Sequence, residues 1–163
     1  MSGLENKDAD IVRAKHYALK LLSYRGRSEK ELEERLIKKG ITKSVTSSTI
    51  KYLKEIGLID DMSLAENLKR EALTAKLLSQ NGAKRYIVNR GIARELADAV
   101  FFHEADADID NAGKLVDKKL RSLRNHTSEV AKRRLYNLLT RRGYSSETIM
   151  KVFKDKNLKE EKK

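Results

Sequence analysis

Residues 28–61 read SEKELEERLIKKGITKSVTSSTIKYLKEIGLIDD, and their punctuation decides the fold class. Ser28 stands three residues before Glu31, the spacing of a capping box at a helix N-terminus. Leu32, Leu36 and Ile37 give that helix an apolar stripe. Lys38 and Lys39 fall in its last turn, where positive charge suits the helix dipole. Gly40 is placed to end it in the left-handed conformation, with Ile41 packing back on Leu36. Thr42 then caps a second helix carrying Val45, Thr49, Leu53 and Ile56. Gly57 stops that helix, Leu58 is expected against Leu53, and Asp60 and Asp61 cap the next one.

The same punctuation recurs. Gly40, Gly91 and Gly143 lie 51 and 52 residues apart. Four residues before each stands Leu36, Ile87 or Leu139. Each glycine is preceded by Lys39, Arg90 or Arg142 and succeeded by Ile41, Ile92 or Tyr144. A period of about 50 residues, three times over, is the mark of a tandem array.

Working outward, a helix is expected from about Asp8 to Arg25, with Gly26 breaking it. A long helix is expected from Ser63 to Ser79, opened by a Ser63–Glu66 capping box, then a turn at Gln80-Asn81-Gly82. A short helix ends at Gly91, and another runs from Ala93 to about His103. The third repeat opens on Glu104, Asp106, Asp108 and Asp110 and continues through SEVAKRRLYNLLTRRG and SSETIMKVFKDK. The pattern predicts an all-α chain of nine helices in three groups of three. The divisions are a disordered 1–7, repeats at 8–61, 62–103 and 104–157, and a frayed basic tail at 158–163.

Composition agrees. The 163 residues include no proline and no cysteine, and 37% are charged, which suits long solvated helices rather than tight-turned sheets. A cysteine-free chain has no disulfide or thiol chemistry and suits a reducing cytosol. No apolar run approaches the roughly 20 residues of a membrane span, and the first ten residues lack a secretory signal's apolar segment. A soluble, cytoplasmic protein is expected, with no membrane partner.

The net charge of +12 is uneven. Residues 1–61 hold 13 Lys/Arg and 10 Asp/Glu, residues 62–113 hold 7 and 8, and residues 114–163 hold 16 and 6. The C-terminal third thus carries the excess, which suggests a polyanion or an acidic protein surface as partner.

Catalytic and metal chemistry find little support. There is no phosphate loop and no GxGxxG. His103-Glu104 begins an HExxH-like string, but position 107 is alanine. Asp106, Asp108 and Asp110 mimic the start of a calcium loop, yet Asn111 and Asp117 occupy positions that want glycine and glutamate; an acidic helix start is the simpler reading. No cofactor, no metal and no enzyme activity are expected. The functional signal is Lys132, Arg133, Arg134, Arg141 and Arg142, with a smaller group of Arg25, Arg27, Lys38 and Lys39. The bland alternative is a solvated charged face. No aromatic platform interleaves with these cations, so phosphate or acidic-protein contact is better supported than sequence-specific readout. Tyr136 and Tyr144 read equally well as core residues or as base-stacking ones.

LLSYRGRSEKELEERLIKKG (21–40), YLKEIGLIDD (52–61) and RRLYNLLTRRGYSSETIMKVF (133–153) together resemble the RecX family of recombination regulators. The likeness lies in an Arg-x-x-Ser-Glu-x-Glu-Leu opening, a Gly-Leu-Ile-Asp-Asp join and a closing Arg-Arg-Gly-aromatic-Ser, in that order. Residues 82–102 fit more loosely, with Tyr86 and Asn89 departing from plainer helix residues. The resemblance implies three tandem three-helix repeats in a curved, elongated molecule. It implies a cytoplasmic bacterial protein that binds the RecA recombinase, and a monomer is expected. Such a protein lodges in the groove of the RecA–DNA filament, bridges subunits, and lowers ATP hydrolysis, strand exchange and coprotease activity without catalysis of its own. Single- or double-stranded DNA would be a weak, sequence-independent partner. The competing readings are a helical DNA-binding protein acting through its basic C-terminal repeat, and a helical scaffold for an acidic protein.

Overall fold

The structure, a computed structural model, describes the backbone of residues 2–101 and 107–158, with side chains from residue 8 onward in those spans. Nine α-helices and no strand occur among the described residues: α1 (Ser2–Tyr24), α2 (Glu29–Lys38), α3 (Lys43–Glu55), α4 (Asp61–Arg70), α5 (Gln80–Asn89), α6 (Arg94–Ala99), α7 (Ala107–Leu120), α8 (Ser128–Arg141) and α9 (Ser146–Asp155). None is long and apolar enough to cross a membrane. The chain divides into two compact units, Met1–Asn67 with Ile87–Val100, and Leu68–Tyr86 with Phe101–Lys163. Helices α4 and α5 contribute residues to both.

In the first unit α1, α2 and α3 pack on one another around Ala14, Ala18, Leu21, Leu32, Leu36, Ile41, Val45, Ile50 and Leu53. The expected stop is present: Gly40 has φ 86° and the Ile41 amide donates to the Leu36 carbonyl at 3.1 Å. Gly57 repeats it at φ 74°, the Leu58 amide donating to Leu53 at 2.9 Å. Here the side chains depart from expectation. Leu58 is exposed and the next residue, Ile59, is the buried one; Ile37 and Ile56 are likewise solvated, and Thr46 and Ile50 join the α3 face instead.

The second unit gathers α7, α8 and α9 around Leu115, Val116, Leu135, Leu139, Tyr144, Ile149, Val152 and Phe153. Its helices α8 and α9 begin on Thr127 and Ser145, whose hydroxyls accept from Val130 N and Thr148 N. Tyr144 is a core residue, its hydroxyl donating to the Leu77 carbonyl at 3.0 Å; Tyr136 is on the surface.

Four local expectations are corrected. Helix α1 begins at Ser2, upstream of the expected Asp8. Asp60 caps α4 as expected, and Ser63, expected to open the helix, lies inside it: the Asp60 carboxylate accepts from the Met62 and Ser63 amides and from the Ser63 hydroxyl. The helix expected to reach Ser79 ends sooner. After α4 the backbone widens into a π-helical turn at Glu71–Ala75, and Leu77 takes φ 48°, unusual for a leucine. The reason is tertiary. The Leu73, Lys76 and Leu77 carbonyls accept from Asn111 Nδ2, Arg142 and Tyr144 respectively. Gln80-Asn81-Gly82 then forms the first turn of α5 rather than a loop, capped by Ser79 through the Gly82 amide at 2.9 Å. Glu104 and Asp106, like the tail beyond Leu158, lie outside the described residues.

Candidate nucleic-acid and partner interface

The period of about 50 residues has a structural cause, repeated once in each unit. In the first, the Ser28 hydroxyl accepts from the Glu31 amide at 3.1 Å and donates to the Arg90 carbonyl at 2.8 Å, while the Glu29 amide donates to Asp61 Oδ1 at 3.0 Å. In the second, the Ser79 amide donates to the Arg142 carbonyl at 3.1 Å and the Gln80 amide to Asp108 Oδ1 at 2.8 Å. Both arginines precede a left-handed glycine, Gly91 or Gly143. Their guanidiniums reach back to a carbonyl just upstream of the capping serine, that of Gly26 or Lys76. A Cβ on Gly91 would collide with the Ser28 hydroxyl, and one on Gly82 with the Arg142 carbonyl. These joints seat each helix N-terminus against another helix's C-terminus and an aspartate, satisfying amides that a helix start leaves open. Burial raises both carboxyls, Asp61 and Asp108, above their ordinary value.

The joints decide which candidate cations are available. Arg142 is committed inward. Arg27 is buried: its Nε donates to the Leu21 carbonyl at 3.2 Å and its Nη1 pairs with Glu31. Arg25 holds the same carboxylate at 2.5 Å, Arg35 approaches it at 3.4 Å and Arg90 at 4.0 Å. Burial alone would raise the Glu31 carboxyl, but the hydrogen bonds and charges of Arg25 and Arg27 outweigh it and hold the group below its ordinary value. The expected capping box is therefore half present: Ser28 serves Glu31, while the Glu31 carboxylate serves arginines. Lys38 and Lys39 are exposed at the end of α2, with Lys39 Nζ 5.6 Å from the centre of the Tyr17 ring.

In the second unit, α8 divides its charges between two grooves. Arg134 and Arg141, seven residues apart, line one of about 440 Å³ together with Lys119, Ser122, Asn137 and Leu138. Arg134 also donates to His126 Nε2 at 2.7 Å, which makes that nitrogen an acceptor. Lys132 and Arg133 line the other, about 410 Å³, with Tyr136, Met150, Phe153, Lys154 and Leu158. Among the described residues neither groove is lined by a carboxylate. Lys119 and Lys154 were not singled out by sequence. Arg90 and Arg35 were also missed, because their partner Glu31 was assigned to a cap. No group of three or more His, Cys, Asp or Glu residues is placed to hold a metal among the described residues.

Comparison with known proteins agrees with this architecture. Residues 14–53 match the family model of the RecX first three-helix domain, and residues 106–153 that of the RecX third three-helix domain. The regulatory protein RecX of Clostridium perfringens is 27% identical over 141 residues, covering 85% of this chain and 66% of that protein. That of Listeria innocua is 29% identical over 145 residues, covering 88% and 54%. The chain thus spans between half and two thirds of the length of these curated relatives. The crystal structure of RecX from Lactobacillus salivarius superposes with a TM-score of 0.74 at 22% identity, covering 93% of this chain and 99% of that one. That likeness bears on the fold: an all-α chain of three-helix repeats.

Proposed function

Because the chain belongs to the RecX family, we propose that it is a non-enzymatic regulator of homologous recombination and DNA repair. It binds the RecA–DNA filament and limits its growth or stability, lowering ATP hydrolysis, strand exchange and coprotease activity. It acts in the cytoplasm as a monomer whose three repeats divide at 8–61, 62–103 and 104–157. Repetition suits a filament, since several weak contacts along one chain raise avidity without any single strong site.

The observation that carries the reading is the groove between α7 and α8. Lys119, Arg134 and Arg141 line it with no carboxylate among the described lining residues. Ser122 and Asn137 add polar groups beside them. That composition fits phosphate oxygens without reading bases, so filament DNA is contacted weakly and without sequence preference. Arg133 and Lys132 add further cations on α8, and Lys38 and Lys39 are exposed cations of the first unit. The same groove supports a second reading, a helical DNA-binding protein with no recombinase partner.

The deciding experiment is RecA ATP hydrolysis on single-stranded DNA, titrated with this protein at two salt concentrations. Inhibition well below one protein per RecA supports filament regulation. Inhibition only when the protein coats the DNA supports the second reading. The double variant Arg134→Ala, Arg141→Ala should weaken inhibition and flatten its salt dependence; unchanged inhibition refutes the groove assignment, and no inhibition by the parent protein refutes the filament role.

A further inference from the structure

The second groove of α8 has a different chemistry from the first. Met150 is 58% exposed and Tyr136 36% exposed, on a face where most solvated side chains are charged. Phe153, only 7% exposed, and Leu158 line the same groove. Arg133 and Lys154 are exposed at the edges. Glu147, one turn before Met150 on α9, is paired with Lys151 at 3.0 Å. Exposed apolar side chains gathered in one cleft, with charge only at the rim, mark a partner site.

We propose that the groove between α8 and α9 docks an acidic peptide segment that inserts an apolar side chain between Tyr136, Met150 and Phe153 while its carboxylates meet Arg133 and Lys154. The apolar lining excludes a purely ionic partner: phosphate would gain from the cations but nothing from Met150, Phe153 and Leu158. Base stacking is also poorly served. The Tyr136 hydroxyl, 3.1 Å from the Ser146 hydroxyl, is tied to the groove wall. A second copy of the chain is a poor occupant, because two molecules of net charge +12 repel. An acidic segment with an apolar anchor satisfies both lining and rim, in the manner of a helix laid in a groove. The inference rests on the groove alone, and so survives failure of the recombinase titration.

The test is fluorescence anisotropy with a fluorescein-labelled peptide carrying Leu-Phe between runs of Asp and Glu, the same peptide with Ala-Ala at the centre, and a thymidine oligonucleotide. The Ala-Ala peptide should bind at least about tenfold more weakly than its parent. Met150→Asn, a neutral change at a solvated position, should weaken the Leu-Phe peptide by about tenfold and leave the oligonucleotide unaffected. Lys154→Glu should weaken the peptide further at low salt than at high. Arg134→Ala with Arg141→Ala should do the reverse of Met150→Asn, weakening the oligonucleotide more than the peptide. Circular dichroism of each variant confirms folding. Equal binding of the two peptides, no peptide binding at all, or an oligonucleotide weakened as much as the peptide by Met150→Asn would each overturn the proposal.

Discussion

Replacing Glu31 by glutamine should be among the most damaging single polar substitutions in this chain. The carboxylate is the shared counter-charge of Arg25, Arg27, Arg35 and Arg90. Arg27 matters most, since its side chain retains 8% of its exposure and that of Glu31 16%. Removing one partner of a buried pair costs roughly 3–5 kcal/mol, because the other charge is left without compensation. The low end applies, because the Leu21 carbonyl still accepts from Arg27. Arg25 and Arg35 are well solvated and contribute together below about 1 kcal/mol. The expected loss of about 3 kcal/mol corresponds to a melting temperature lowered by roughly 6–12 °C for a chain of this size. Thermal unfolding monitored by circular dichroism at pH 7 measures it. Adding Arg27→Met should restore most of the loss, since the buried charge is then gone. The pH dependence has a definite sign. The folded Glu31 carboxyl lies below its unfolded value, so its contribution is complete above the ordinary carboxylate range. It disappears as pH falls through the depressed folded value, and the gap between parent and variant should close in acid. A Glu31→Gln protein melting within about 2 °C of the parent at pH 7 would refute the reasoning.

The joints carry three further predictions. Gly40→Ala and Gly91→Ala both place a side chain at positive φ, costing about 1 kcal/mol, but only Gly91 faces the Ser28 hydroxyl; urea unfolding should show Gly91→Ala the worse by a further 1–3 kcal/mol or so. Asp108→Asn keeps an oxygen for the Gln80 amide while removing a half-buried charge whose folded carboxyl lies above its unfolded value. The parent's Asp108 contributes stability at low pH that is lost as pH rises through that folded value, so the variant should gain on the parent between acid and neutral urea midpoints. Arg142→Ala should lower the melting temperature by several degrees while its exposed neighbour Arg141→Ala leaves it nearly unchanged, although sequence places both in one cationic cluster.

That last contrast shows where sequence reasoning ended. Helix stops and caps are local events, so Gly40, Gly57, Thr42 and Ser145 were legible from neighbours within a turn. The nature of the repeat was legible through spacing, because each left-handed glycine recurs with its preceding cation. The fate of the cation was not. Arg142 differs from Arg141 only in the distant Lys76 carbonyl that the fold brings to it, and Arg27 from Arg133 in being buried against the Leu21 carbonyl and Glu31. Asp61 illustrates the same limit: next to Asp60 it reads as a cap for α4, yet it serves the start of α2, 32 residues earlier. Leu77 was invisible for the converse reason, its backbone being bent by demands from Arg142 and Tyr144. In the α8 grooves, the cations on α8 itself were found and those supplied by α7 and α9 were not.

The joints also bear on how such a protein changes over generations. Most of their atoms are main-chain: the carbonyls of Gly26, Lys76, Arg90 and Arg142, and the amides of Glu29, Ser79 and Gln80. A peptide group is the same whichever residue carries it, so substitutions elsewhere leave the connections between helices intact. Mutational drift is thereby channelled to the outer faces, and lineages sharing little more than a fifth of their residues keep the same scaffold. Divergence among them should show itself in what the grooves of α8 attract, long before it shows in how the helices are stacked.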